Sequence, residues 1–109
     1  MLEQSLWAYR IDDHENCRYV VLSGEIDLAA AGQLRDLLVE QLDRPGPGAV
    51  VTELSAVTFM DSAALGALIE ALRHAQRGDR RFTVVGATGR ALRIMQMAGV
   101  YELLAGTTP

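Results

Sequence analysis

In the run Phe59-Met60-Asp61-Ser62-Ala63-Ala64-Leu65-Gly66 a hydroxyl directly follows a carboxylate, where strand-like sequence gives way to a helical pattern. A phosphate carried on Ser62 would meet the unpaired first N–H groups of that helix and the positive end of its dipole. Ser62 is therefore a candidate phosphorylation switch. A plainer reading of the same residues needs no chemistry. Asp and Ser often precede an apolar helical run because their side-chain oxygens cap the first N–H groups, stabilising the helix by about 1 kcal/mol. Spacing alone leaves both readings open.

Other chemistry finds little support in the chain. Ser62 lacks the G-x-S-x-G surround of an esterase nucleophile, and the only histidines to serve as bases are His14 and His74. His74 falls on the same helix as Ser62, roughly 18 Å further along its axis, where it reads as a solvated face residue. His14 belongs to a polar turn near the start. No P-loop and no G-x-G-x-x-G after a strand suggests nucleotide binding. The lone Cys17 forms neither an internal disulfide nor a cysteine metal site, and fits a reducing compartment. The expectation is a non-catalytic chain without metal or cofactor.

The elements around Ser62 follow from hydrophobic period. Val50, Val51, Leu54, Val57 and Phe59 supply strand material ahead of it, with the third strand expected over Ala49 to Leu54. Leu65, Leu68, Ile69 and Leu72 then fall at i, i+3, i+4 and i+7, predicting a helix from Asp61 or Ser62 to about Arg77, closed by a left-handed Gly78. Upstream, Leu6 to Ile11 and Arg18 to Ser23 read as a strand pair about the polar turn Asp12 to Asn16. After Gly24-Glu25-Ile26-Asp27 the period changes. Ala30, Ala31, Leu34, Leu37, Leu38 and Leu42 make a helical face with Asp27 as its N-cap, and Arg44-Pro45-Gly46-Pro47-Gly48 stops that helix. Phe82 to Gly86 reads as a fourth strand. Thr88 then caps a helix bearing Leu92, Ile94, Met95 and Ala98 that ends at Gly99, with Met95 assigned to the core and Val100, Leu103 and Leu104 packing the last turns. The order β-β-α-β-α-β-α implies an α/β fold, a mixed four-stranded sheet covered by amphipathic helices.

Composition bounds the function. At 109 residues with half of them apolar, the expectation is one domain over residues 1–109. A net charge of -4, with all ten basic residues arginine, argues against nucleic acid as the main partner. Met1 to Ser5 lacks a signal-peptide pattern, and no stretch is apolar enough to span a bilayer, so the expectation is a cytoplasmic chain away from membranes.

Gly24-Glu25-Ile26-Asp27 closing one strand and F-M-D-S-A-A-L-G opening a later helix together resemble the STAS domain, over Leu6 to Leu104. More narrowly the chain is similar to the stand-alone bacterial anti-sigma factor antagonists. The resemblance implies a partner-switching cycle: the antagonist binds an anti-sigma factor that is also a serine kinase, frees a sigma factor, and is released when the kinase phosphorylates it. It maps the phosphorylated serine onto Ser62 and the partner-binding surface onto Glu25, Asp27, Asp61, Ser62, Ala63, Leu65 and Gly66. The expected state is a monomer or weak dimer. A phosphate of about -1.5 to -2 charges beside Asp61, and near Glu25 and Asp27, would repel an acidic or apolar partner. Two departures stand out. Ala63 and Ala64 replace the usual Ser or Thr and then Gly, stiffening the first turn by about 0.8–1.0 kcal/mol for the Gly position. Glu53 replaces the usual Asp of the third strand. A second member role, a non-catalytic subunit of a transporter ATPase or a component of a stress-signalling scaffold, is open on the same fold.

Overall fold

The computed structural model describes residues 5–46 and 48–106, so Met1 to Gln4 of the stretch read for a signal sequence, and Pro47 of the connector, lie outside the described residues. The chain runs β1 (Trp7–His14), β2 (Cys17–Ile26), α1 (Leu28–Asp43), β3 (Ala49–Met60), α2 (Ser62–Arg77), β4 (Arg81–Val85), α3 (Gly89–Met97) and α4 (Tyr101–Ala105). The strands lie side by side as β1-β2-β3-β4, the first pair antiparallel and the other two parallel. This is the mixed α/β sheet expected, with one more helix. The extra break comes at Gly99, whose φ of 74° lets Val100 N–H reach back to Met95 O at 3.0 Å, ending α3 and starting a new turn.

Strand ends extend past the expected limits for one reason, pairing with β2. Asp12 to His14 belong to β1, because Asp13 sits opposite Arg18 and ion-pairs with it at 2.9 Å, the hydrogen bond from that guanidinium holding Asp13 below the usual carboxylate range. The turn shrinks to Glu15 and Asn16, at φ 50° and 64°, the left-handed pair that a tight hairpin needs. Likewise β3 continues beyond Leu54 to Met60, since β2 runs parallel beside it to the pair Ile26 and Met60.

Two expected helix ends shift. Gly78 is not left-handed, with φ -97°; Asp79 takes that conformation at φ 56°. The Arg80 N–H bonds to Ala75 O at 2.8 Å, and the Arg80 guanidinium grips Leu42 O of α1 at 2.6 Å, which sets the reversal one residue later. Thr88 stands at the N-cap of α3 but its hydroxyl makes no capping bond, and Gly89 after it has φ 53°.

One core joins the elements. Val20 and Leu22 of β2, Val50 and Leu54 of β3, and Val84 of β4 pack with Leu34 and Leu38 of α1, Leu68 of α2, Met95 of α3 and Leu104 of α4, each at most 2% exposed. Full burial of such side chains supplies about 1.5–3 kcal/mol apiece against chain entropy. Met95 is core as expected. Leu103, expected to pack the last turns, is 51% exposed, because the single turn of α4 turns Leu104 and, in part, Tyr101 toward the core. Among the described residues no helix is long and apolar enough to cross a membrane.

Candidate functional site

The site forms where β2 and β3 end together. Each strand closes on an apolar residue, then an aspartate, then a helix: Ile26-Asp27-Leu28 and Met60-Asp61-Ser62. Because the two strands are parallel and in register at Ile26 and Met60, both helices leave the same edge of the sheet. That is the edge where open α/β sheets place their binding sites. The register of β2 slips on the way, at Gly24, whose φ is 88° and whose missing Cβ would stand 2.1 Å from Leu6 O. Glu25 N–H bonds that same oxygen at 2.8 Å, so the Gly24–Asp27 turn is locked to the start of the chain's first strand.

The two aspartates do different work. Asp27 caps only its own helix, its Oδ1 accepting from Ala29 N–H at 3.0 Å. Asp61 caps both: Oδ1 accepts from Ala64 N–H of α2 at 3.0 Å, and Oδ2 accepts from Leu28 N–H of α1 at 2.9 Å. Asp61 thus serves as a brace between the helix starts. The capping reading of Asp61 holds, and the second bond could not be seen from local spacing. Ser62, the first residue of α2, is exposed and lies outside the core.

The other predicted contact residues spread over three hollows around these helix starts. Glu25 and Asp27 line one of about 250 Å³ with Trp7, Ala30 and Gln33. Ala63 and Gly66 line a second, of about 380 Å³, against Ala31 and Gly32 of α1. A Cβ added at Gly66 would meet nothing within 4 Å, so this groove is open. Ser62 and Leu65 line a third, of about 460 Å³, against α3. Leu65 is 4% exposed and forms a floor there rather than a projecting contact.

The third hollow adds a cationic flank to the expected electrostatics. Ser62 shares it with Arg90 and Arg93, not with Glu25 and Asp27, so the charge beside the hydroxyl on this flank is positive. Local reasoning missed these arginines because only the packing of α3 against β3 brings them here. The available signal was weak: two arginines at i and i+3 alongside Ile94 and Met97, on the helix face next to the buried one. Glu53 is also explained. Its longer side chain bends back to accept from Ser55 N–H at 3.2 Å and Ser55 Oγ–H at 2.9 Å.

His74 and His14 take no part in the site. His74 Nε2 lies 2.6 Å from Asp43 Oδ1, tying the last turn of α2 to the end of α1, so it tethers two helices rather than standing unpartnered on a solvated face. His14 lies 3.4 Å from Glu15 on the hairpin.

The family model described as Mlab, STAS domain matches residues 9–105, and the chain belongs to the STAS domain family. Among characterised relatives it is 26% identical over 91 residues to the anti-sigma-B factor antagonist of Staphylococcus epidermidis, spanning 84% of this chain and 83% of that protein. The crystal structure of an anti-sigma factor antagonist from Mycobacterium paratuberculosis superposes with a TM-score of 0.80 at 26% identity, over 90% of this chain and 82% of that one. The Bacillus cell fate determinant SpoIIAA in its phosphorylated form shares the fold, with a TM-score of 0.69 at 17% identity over 90% of this chain and 88% of that one.

Proposed function

We propose that this protein is a non-catalytic anti-sigma factor antagonist, acting in the cytoplasm as a monomer or weak dimer. It binds an anti-sigma factor that is also a serine kinase, through the Gly24–Asp27 turn and the start of α2, and it is switched off by phosphorylation of Ser62. The observation that carries this reading is Ser62 itself, exposed at the first position of α2 directly after a bracing aspartate. The likeness to named antagonists supports it. In the modification step the Ser62 hydroxyl attacks the γ-phosphorus of ATP bound by the partner, losing its proton, and ADP leaves. The product carries about -1.5 to -2 charges where a neutral hydroxyl stood. On the flank shared with Arg90 and Arg93 that addition cancels a cationic surface, and on the flank of Glu25 and Asp27 it adds to an anionic one.

Incubation with candidate kinases and ATP, followed by mass-spectrometric mapping, tests the site: phosphate on Ser62 is expected, and phosphate confined to other serines such as Ser55 would refute it. Ser62→Ala should keep the affinity for the anti-sigma factor, while Ser62→Asp should weaken it. Equal affinities would remove charge as the mechanism. Isolation of the natural complex distinguishes the remaining role on this fold, since an ATPase of a transporter in place of an anti-sigma factor would overturn the antagonist reading.

A further inference from the structure

The hollow between α2 and α3 has an apolar floor and a cationic rim. Leu65, Ile94, Met97 and Ala98 form the floor, and Ser62, Arg90 and Arg93 are its polar members. Met97 is 80% exposed, so the hollow opens widely to solvent. The guanidinium of Arg90 lies over the Phe59 ring, 5.7 Å from its centroid, and Phe59 sits on β3 just ahead of Asp61. This stacking holds one cation against the start of α2. Among the described residues no carboxylate pairs with Arg90 or Arg93, although acidic residues outnumber basic ones by 14 to 10. Two like charges at i and i+3 on one helix repel each other, and an anion between them would relieve that repulsion.

We propose that Arg90 and Arg93 form an anion site whose ligand is the phosphate of modified Ser62, captured within the same chain. The inference rests on the proposed function for the origin of that phosphate, and adds what holds it afterwards. A phosphoserine presents three acceptor oxygens, and a guanidinium fork matches two of them at once. The N–H groups of Ser62 and Ala63, the two in the first turn of α2 that Asp61 does not engage, are further donors available to it. Capture has two consequences. The arginines are withdrawn from any acidic partner group they would otherwise attract, and the phosphate is drawn across the mouth of the apolar floor. Modification then closes a docking surface as well as changing its charge.

The test uses the full chain with phosphoserine placed at position 62 during translation, so it depends on no kinase. A phosphorus NMR titration reads the second ionisation of the phosphate, ordinarily near pH 6. Cations favour the dianion, so this ionisation should come about one pH unit lower in the otherwise native sequence than in the double variant R90Q/R93Q. The difference should shrink in about 1 M salt, where the screening length falls to about 3 Å. Circular dichroism melting of both proteins verifies that the variant is folded, and R93Q alone, which keeps the Arg90 stack on Phe59, should give an intermediate value. Titrations that coincide in two folded proteins would overturn the proposal. A kinase that ignores Ser62 would instead overturn the functional reading and leave this measurement standing.

Discussion

Replacing Asp61 tests whether one carboxylate fastens two helices. Its bond to Ala64 N–H is an ordinary N-cap, of about 1 kcal/mol. The bond to Leu28 N–H, at 2.9 Å, has a charged acceptor, and at a half-exposed position the low end of the range for such bonds applies, about 1.5 kcal/mol. Asp61→Ala should therefore cost about 2.5 kcal/mol, which lowers the melting temperature by about 10 °C in a domain of this size. Asp27→Ala, losing a single cap, should cost about 1 kcal/mol. Asp61→Asn keeps one acceptor oxygen but turns an amide N–H₂ toward the other donor, so it should fall between them. The cross-helix term is isolated by Leu28→Pro. Leu28 is the first residue of α1, its side chain is 75% exposed, and Asp27 before it is already extended, so proline fits the position and removes only the donor. Urea denaturation of the four-protein cycle should give a coupling energy of about 1–1.5 kcal/mol with unchanged m-values. Additive single effects, or an Asp61→Ala cost no larger than that of Asp27→Ala, would refute the brace.

Two other substitutions follow from the backbone and the core. Gly24→Ala forces a side chain into a left-handed position whose Cβ would lie 2.1 Å from Leu6 O, so it should destabilise the chain by at least about 2 kcal/mol and lower its urea midpoint, and a loss under half of that would mean the Gly24–Asp27 turn is not locked to the first strand. Thr52 is 0% exposed in the middle of β3, and no group among the described residues pairs with its hydroxyl. Thr52→Val keeps the shape and removes the buried hydroxyl, so thermal melting should show a gain of about 1 kcal/mol, and a loss would reveal a partner for that oxygen.

How legible each part was depends on how local its causes are. The limits of α2, Ser62 to Arg77, were readable because the cap and the apolar stripe are both written within one stretch of chain. So was the change of period after Asp27. The far ends of β1 and β3 were not readable, because Asp12 to His14 are polar residues held extended by β2 rather than by their own preference, and the end of β3 carries polar Ser55 and Thr58 where its register with β2 shifts. The left-handed exit of α2 fell to Asp79 instead of Gly78 for a similarly remote reason, the grip of Arg80 on the end of α1. In the site, Asp27, Asp61 and Ser62 were found from local motifs, whereas Arg90 and Arg93 were not. Their position follows from Ala91 and Met95 on the same helix, 1% and 0% exposed, which turn the neighbouring face of α3 toward Ser62.

That geometry divides the edge of the sheet by charge. Among the described residues, Glu25 and Asp27 line a hollow that no cation lines with them, and Arg90 and Arg93 line one that no carboxylate lines with them. Asp61 lies between them with both oxygens engaged by backbone N–H groups, so its charge is already countered within the fold. Ser62 directly follows that aspartate and lines the hollow of Arg90 and Arg93. A phosphate there enlarges the anionic side and cancels the cationic one, and a partner that matched both halves loses complementarity across the whole edge from a single modification. A serine further along α2 would act on one flank only, and would also leave the stabilising field of the helix N-terminus. The position of the hydroxyl, more than its chemistry, makes it suited to a switch.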